Sequence, residues 1–130
     1  MDALAARAIV LVSFPFSDLS HSKLRPAVVL AYAEKDDWIL CQVTSKSYGD
    51  SWAIKIEDEN FEIGSLHLVS YVRPGKLFTA NSSIIKSQVG KLKGESFEKI
   101  IEAVVKVLNS SIASDEKEES EEIAQESEEA

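Results

Sequence analysis

The chain has 130 residues, 45% of them hydrophobic, which is enough for one domain with a buried core. Its formal net charge of −8 at first argues against a nucleic-acid partner. The single cysteine, Cys41, excludes an intramolecular disulfide and fits a reducing compartment. No apolar run approaches the ~18 residues of a membrane span, and the N-terminal residues lack the pattern of a signal peptide, so we expect a cytoplasmic protein.

The negative charge is concentrated at one end of the chain. Residues 114–130 contain nine acids and one lysine, which leaves 13 acidic and 13 basic residues in 1–113. The predicted organisation is a flexible N-terminus over 1–7, a folded domain over 8–113 and an acidic disordered tail over 114–130. Because the folded part is neutral, it can still carry a basic groove for RNA. The tail either keeps the protein soluble or mimics a nucleic-acid backbone. A mimic would weaken RNA binding at low salt, so deletion of residues 114–130 should then change RNA affinity and cleavage, whereas a solubilising tail predicts no change.

The order of the apolar segments favours a mainly β fold with a C-terminal helix. Residues 9–14 are apolar on both faces, which is typical of a central strand, whereas residues 52–57 alternate with the period of a half-exposed strand. Short turns separate the segments and predict an antiparallel meander within a small barrel. The predicted strands are residues 9–14, 26–32, 38–44, 52–57, 66–68 and 71–77, the last bent at Pro74-Gly75. Cys41 lies inside the third strand and is interpreted as a packed side chain rather than a nucleophile.

One segment, residues 97–108, has the periodicity of an amphipathic helix. Ser96 is placed as its N-cap, and Glu98 adds negative charge to the first turn. We expect this helix to cover the barrel and to have no chemical role. Its apolar face consists of Phe97, Ile100, Ile101, Val104, Val105 and Leu108.

A polar loop over residues 17–24 joins the first two predicted strands and ends at Arg25-Pro26. Pro26 favours extended geometry for the residue before it and suits the first position of a strand, so Arg25 lies at a loop–strand junction. The segments around this junction resemble the opening of the MazF/PemK family of bacterial toxins. Three ordered blocks carry the resemblance, which covers about residues 8–108: residues 9–30, 40–45 and 70–92.

The resemblance implies an SH3-like small barrel that forms a homodimer and binds a cognate antitoxin. It also implies an endoribonuclease that cuts single-stranded RNA without a metal or other cofactor. In that reaction the ribose 2′-hydroxyl attacks the phosphate and leaves a 2′,3′-cyclic phosphate and a 5′-hydroxyl end. The protein must accept a proton, stabilise a phosphorane that carries extra negative charge, and assist the leaving oxygen.

Four residues are candidates for this chemistry. Arg25 is the first choice to stabilise the phosphorane, because a guanidinium donates two hydrogen bonds to phosphate oxygens. Thr44, at the end of the third predicted strand, would donate its hydroxyl; both positions match active-site residues of MazF-like relatives. Arg73 matches an arginine proposed as catalytic in the PemK/Kid branch. His21 is the candidate base, because an ordinary imidazole titrates near neutrality.

Three departures from the family pattern lie near these residues. Arg7-Ala8 stands where relatives usually have Gly-Asp before the first strand. Gly75 stands where the PemK/Kid branch has an aspartate, and Leu24 stands where some MazF proteins have a carboxylate. Gly75 and Leu24 leave these two positions without a carboxylate that could act as a general base. We therefore assign the role of general base to His21.

The remaining candidates would bind RNA rather than react with it. Polar and cationic side chains near the site would position phosphates, and aromatic side chains would stack on unpaired bases. The phosphate-binding candidates are Lys23, Ser45, Lys46 and Ser47, and the stacking candidates are Phe16, Tyr48 and Trp52. Phe16 and Trp52 are equally well explained as core residues. The two histidines and the cysteine have no spacing typical of metal ligands, so no metal site is predicted.

Two alternatives to the nuclease stay open at the level of sequence. The chain could be a non-catalytic SH3-like barrel that binds RNA or a protein partner, or a gyrase inhibitor of the CcdB type. Fold alone does not separate these functions. Arg25, Thr44 and Arg73 favour the nuclease, whereas Leu24 and Gly75 favour the alternatives.

Overall fold

One antiparallel sheet followed by a helix makes up the computed structural model, which describes residues 4–15, 22–47 and 49–129. In this part of the chain seven strands are arranged in the order β4-β6-β3-β2-β1-β7-β5, and the sheet curls into a half-barrel. The fold class predicted from the sequence is therefore confirmed. The elements are β1 (Ala8–Pro15), β2 (Ser22–Glu34), β3 (Asp37–Thr44), β4 (Ile54–Ile56), β5 (Phe61–Gly64), β6 (Ser70–Asn81), β7 (Ile85–Leu92) and α1 (Gly94–Glu129).

Apolar side chains are buried on both faces of the inner strands. Successive residues of a strand point to opposite faces, so Ile9 joins one buried cluster while Val10 and Val12 join the other. Ile100 and Val104 of α1 pack into the cluster that contains Ile9. The prediction of β1 as an interior strand is confirmed, since it lies between β2 and β7.

Cys41 of β3 belongs to the same cluster as Ile9 and is fully buried. Burial raises the pKa of its thiol to about 12, because the apolar surroundings disfavour the thiolate. A thiol in this environment is a packing group and a poor nucleophile. The interpretation of Cys41 made from the sequence is confirmed.

The sheet differs from the prediction in its second half. The sequence predicts a strand over residues 66–68, but these residues form the connection between β5 and β6, where His67 has a φ of 62°. A positive φ interrupts the extended backbone that a strand requires. The strands β5 and β7 are not predicted, because Gly64 and Gly90 lower the strand propensity of their short segments.

The helix begins earlier than the sequence predicts. The Phe97 N–H donates to the Lys93 carbonyl at 3.0 Å, so Ser96 lies inside the first turn and is not the N-cap. Ser96 is 8% exposed, and its hydroxyl oxygen accepts a hydrogen bond from Asn60 Nδ2 at 3.1 Å. The Ser96 side chain therefore joins the helix to the segment before β5.

The helix also extends further than predicted. Its backbone is helical to Glu129, where the sequence predicts a disordered tail from residue 114. Residues 114–129 contain no glycine or proline and are rich in glutamate, which favours helix. Val105 and Leu108, predicted on the covering face, are 47% and 59% exposed. The division of the chain into three regions stays a prediction.

Gly90 of β7 permits the close approach of β5. A Cβ at this position would lie 2.8 Å from the Ile63 carbonyl oxygen and 2.8 Å from the ring of Phe61. We expect Gly90→Ala to lower the free energy of unfolding in urea by about 1–3 kcal/mol, because the added methyl group overpacks the site. Gly75→Ala is the control, since no atom lies within 4 Å of its added Cβ. Equal stability of the Gly90→Ala variant and the native chain would contradict this account.

Candidate active site

A cavity of about 430 Å³ lies where β2 begins and β3 ends, beside the connection between β5 and β6. Five of the predicted site residues line it: Lys23, Arg25, Thr44, Ser45 and Lys46. The apolar part of the wall comes from Leu24, Pro26, Val43, Leu66 and Leu68, and Ser70 completes the lining. The described lining residues include three cationic side chains and no carboxylate. The charge of the cavity therefore favours an anionic ligand.

Arg25 and Thr44 come to the cavity from two neighbouring strands. Arg25 lies near the beginning of β2, and Thr44 is the last residue of β3. The antiparallel pairing of the two strands extends as far as Ala27 and Gln42, and both Arg25 and Thr44 line the cavity beyond this last pair. Both side chains can therefore contact a ligand bound in the cavity. Their chemical roles stay predictions.

The chain that follows β3 orients the Thr44 hydroxyl. Thr44 Oγ1 accepts a hydrogen bond from the Lys46 backbone N–H at 3.2 Å. A hydroxyl that accepts through its oxygen keeps its own proton for donation. This turn keeps Ser45 and Lys46 beside Thr44 in the cavity wall.

Arg73 lies on β6, outside the lining of the cavity. Its Nε donates to Asp50 Oδ2 at 3.0 Å, and the two side chains are 19% and 13% exposed. The Trp52 backbone N–H and the Arg73 guanidinium, in that order of effect, lower the pKa of the Asp50 carboxyl. Gly75 supplies no carboxylate near Arg73, but the structure brings one from the connection between β3 and β4.

The other predicted residues divide into two groups. Phe16, His21 and Tyr48 lie outside the described residues, so their assignments stay predictions. Ser47 is exposed, and Trp52 is 39% exposed in the connection between β3 and β4. The cavity lining does not include either side chain.

A polar row that no sequence pattern predicts continues from Thr44 across the sheet. Tyr71 of β6 pairs with Thr44 on one side and with Lys55 of β4 on the other. These three residues form a row over three neighbouring strands, about 10 Å long at the usual strand spacing, which begins at the cavity. The alternation of residues 52–57 predicts that Lys55 lies on an exposed face. It does not predict that β6 lies beside β4, so the row could not be predicted from the sequence.

The polar groups of the cavity are hydroxyl, guanidinium and ammonium groups. Within the part of the chain that the structure describes, no group of three histidine, cysteine, aspartate or glutamate side chains could hold a metal ion. In the same residues, no helix combines the length and the apolar character needed to cross a membrane.

The fold and the cavity define a small curled β-sheet protein with a cationic site at one end of its central strands. The model of a family described as PemK-like, MazF-like toxin of type II toxin-antitoxin system matches residues 5–108. The chain therefore belongs to this family, and the resemblance stated from the three sequence blocks is confirmed. A comparison with curated proteins gave no significant match.

Solved structures share the fold at low sequence identity. The toxin MazF-mt6 of Mycobacterium tuberculosis is 18% identical with a TM-score of 0.63, and the alignment covers 79% of this chain and 97% of that chain. A chain of the MazE-MazF complex from Deinococcus radiodurans is 16% identical with a TM-score of 0.66, at 83% and 98% coverage. An endoribonuclease from Mycobacterial species is 12% identical with a TM-score of 0.64, at 84% and 94% coverage.

Proposed function

We propose that this chain is the toxin of a toxin–antitoxin pair and an endoribonuclease that cuts single-stranded RNA. The observation that carries the proposal is that Arg25 and Thr44 line one cavity together with two lysines. Membership of the PemK-like, MazF-like family supports it, as do similar structures described as endoribonucleases. The proposed reaction is attack of the 2′-hydroxyl on the adjacent phosphate, in which the nucleophile belongs to the substrate and no metal is required.

Arg25 is proposed to stabilise the transition state. Its guanidinium donates two hydrogen bonds to the non-bridging oxygens of the scissile phosphate, on which negative charge increases as the 2′-oxygen attacks. The Thr44 hydroxyl donates a further hydrogen bond to the same group. Because these bonds strengthen as the charge develops, they lower the barrier rather than only the dissociation constant.

The remaining roles follow from position and charge. Lys23 and Lys46 contact the phosphates on either side of the reacting one, which aligns the RNA in the cavity. His21 immediately precedes β2 in the sequence and is proposed to take the proton of the 2′-hydroxyl. In this proposal His21 serves as the general base, a role that a carboxylate fills in some relatives.

A cognate antitoxin, a homodimer and a cytoplasmic location complete the proposal. One similar structure is a MazE-MazF complex, and another is an endoribonuclease with its cognate antitoxin.

Light scattering of the purified chain should give twice the mass of one chain, because the proposal includes a homodimer. A mass equal to a single chain at micromolar concentration would contradict the homodimer.

A non-catalytic barrel that binds RNA is the second candidate. The described residues that line the cavity include no carboxylate, and Leu24 occupies the wall beside Arg25. Such a protein would bind RNA in the same cavity and leave it intact. Binding without cleavage would therefore support this candidate over the nuclease.

The role of Arg25 is tested by its replacement. Arg25→Ala should lower the rate of cleavage of single-stranded RNA by about 10²- to 10³-fold, because the phosphorane loses its main hydrogen-bond donor. Arg25→Lys should restore only part of the rate, since an ammonium lacks the planar fork. Single-turnover rates on denaturing gels, with protein in excess, give the comparison. Lys99→Ala is the control, because it removes one positive charge from the exposed surface of α1. Equal losses in the Arg25→Ala and Lys99→Ala variants would contradict the assignment.

The polar row predicts a phosphate contact at Lys55. Lys55→Ala should weaken binding to 2′-O-methyl RNA, which cannot be cleaved, and reduce the slope of log affinity against log salt by about 0.7. Lys55 Nζ lies 2.8 Å from Glu57 Oε1, an interaction that raises the lysine pKa, so Glu57→Gln should strengthen binding by freeing the ammonium. Fluorescence anisotropy at several salt concentrations measures both effects. A salt slope that is the same for Lys55→Ala and the native chain would contradict the contact.

A further inference from the structure

Asp50 joins two parts of the chain that approach the candidate site from different directions. Its Oδ2 accepts a hydrogen bond from Arg73 Nε at 3.0 Å, and its Oδ1 accepts one from the Trp52 backbone N–H at 2.9 Å. The Asp50 N–H donates to the Ser47 carbonyl at 3.0 Å. One side chain thus connects β6 to the segment that begins at the cavity with Ser45.

The β-sheet pairing does not by itself fix the orientation of the Arg73 guanidinium. Val72 pairs with Val43, but the register between β3 and β6 then shifts, and the next pair joins Leu77 to Cys41. Arg73 therefore starts an irregular stretch of β6 that lacks regular pairing with β3. An arginine side chain has several rotatable bonds, so it needs a specific contact to keep one orientation.

Strand alternation determines which face Arg73 occupies. Val72 is fully buried in the cluster beneath α1, so the residues on either side of it lie on the opposite face of the sheet. Tyr71, the neighbour on the other side, belongs to the polar row with Thr44. Arg73 is therefore on the face that carries Thr44, one step along β6 from the row.

We propose that Asp50 is a positioning residue for RNA cleavage and that it fixes the guanidinium of Arg73 on the face of the sheet that carries Thr44. This inference rests on the proposed endoribonuclease function. Asp50 does not serve as the general base, because both of its oxygens accept hydrogen bonds and its pKa is lowered. Arg73 in turn supplies positive charge at the reacting phosphate, where negative charge increases in the transition state.

The Asp50→Asn variant separates this role from a purely structural one. The amide oxygen of asparagine can still accept the hydrogen bond from the Trp52 N–H, so the turn at residues 50–52 is maintained. The amide NH₂ group, in contrast, faces Arg73 Nε as a second donor and cannot accept its hydrogen. The variant therefore changes the contact with Arg73 and leaves the turn intact.

The experiment measures single-turnover cleavage of single-stranded RNA by the full chain across a range of protein concentrations. For Asp50→Asn we expect the maximal rate to fall about 10- to 100-fold while the half-saturating concentration changes less than about 3-fold, as is typical of misplaced catalytic geometry. Asp50→Glu keeps the carboxylate and should recover most of the lost rate. Glu102→Gln, which removes an equal charge from the exposed surface of α1, should leave the rate unchanged.

A double substitution tests whether Asp50 acts through Arg73. In an Arg73→Ala background, adding Asp50→Asn should cause no further loss, because the group that Asp50 positions is already absent. A further loss of 10-fold or more in that background would overturn the inference. An Asp50→Asn variant that cleaves RNA as fast as the native chain would also overturn it. The same holds if the Asp50→Glu variant cleaves RNA no faster than the Asp50→Asn variant. Each of these three results would overturn the role of Asp50 and leave the proposed nuclease function intact. A native chain that cleaves no RNA would overturn both the role of Asp50 and the nuclease function.

Discussion

Burial of alternate side chains on β2 and β3 determines the register on which the candidate site depends. Val28 and Cys41 are paired across the two strands and are both buried in the cluster beneath α1. A slip of one residue would move every side chain of one strand to the opposite face, so that Gln42 would take the place of Cys41 or Val43 in the cluster beneath α1. The same slip would turn Thr44 away from the cavity that Arg25 lines. The free energy of core burial therefore also sets the geometry of the candidate site.

Charge is distributed so that a protein of net charge −8 can still bind an anion. Residues 1–113 hold equal numbers of acidic and basic residues, and the excess acid lies in the last 17 positions, 114–130. Within the neutral part, three cations converge on one cavity whose described lining has no carboxylate. Local charge density rather than net charge governs attraction of a phosphate backbone, and such attraction weakens as salt increases.

Local patterns in the sequence were sufficient for the first half of the fold. The apolar runs and the short turns predict β1 to β3, and the junction at Arg25-Pro26 predicts where β2 presents its cation. The prediction was less successful in the second half, because Gly90 weakens the strand pattern of β7. The reason for a glycine there, close contact with Phe61, depends on the position of β5 and appears only in three dimensions.

The site was predictable to a similar extent. Resemblance to a family indicates Arg25 and Thr44, and the structure shows that both line one cavity. The contact between Asp50 and Arg73 was not predictable, because it joins positions 23 residues apart on segments whose packing has no local signal. The polar row through Tyr71 was missed for the same reason, since the order of strands in the sheet is a property of the whole fold.

The central claim is that the cavity at Arg25 and Thr44 promotes attack by the 2′-hydroxyl on RNA. The most direct test is to incubate the purified chain with a mixed-sequence single-stranded RNA in the presence of EDTA and to analyse the ends of the products. The account predicts fragments with 2′,3′-cyclic phosphate and 5′-hydroxyl ends, and no cleavage of the same RNA when its 2′-hydroxyls are methylated. Intact RNA, or fragments with 5′-phosphate ends, would contradict it.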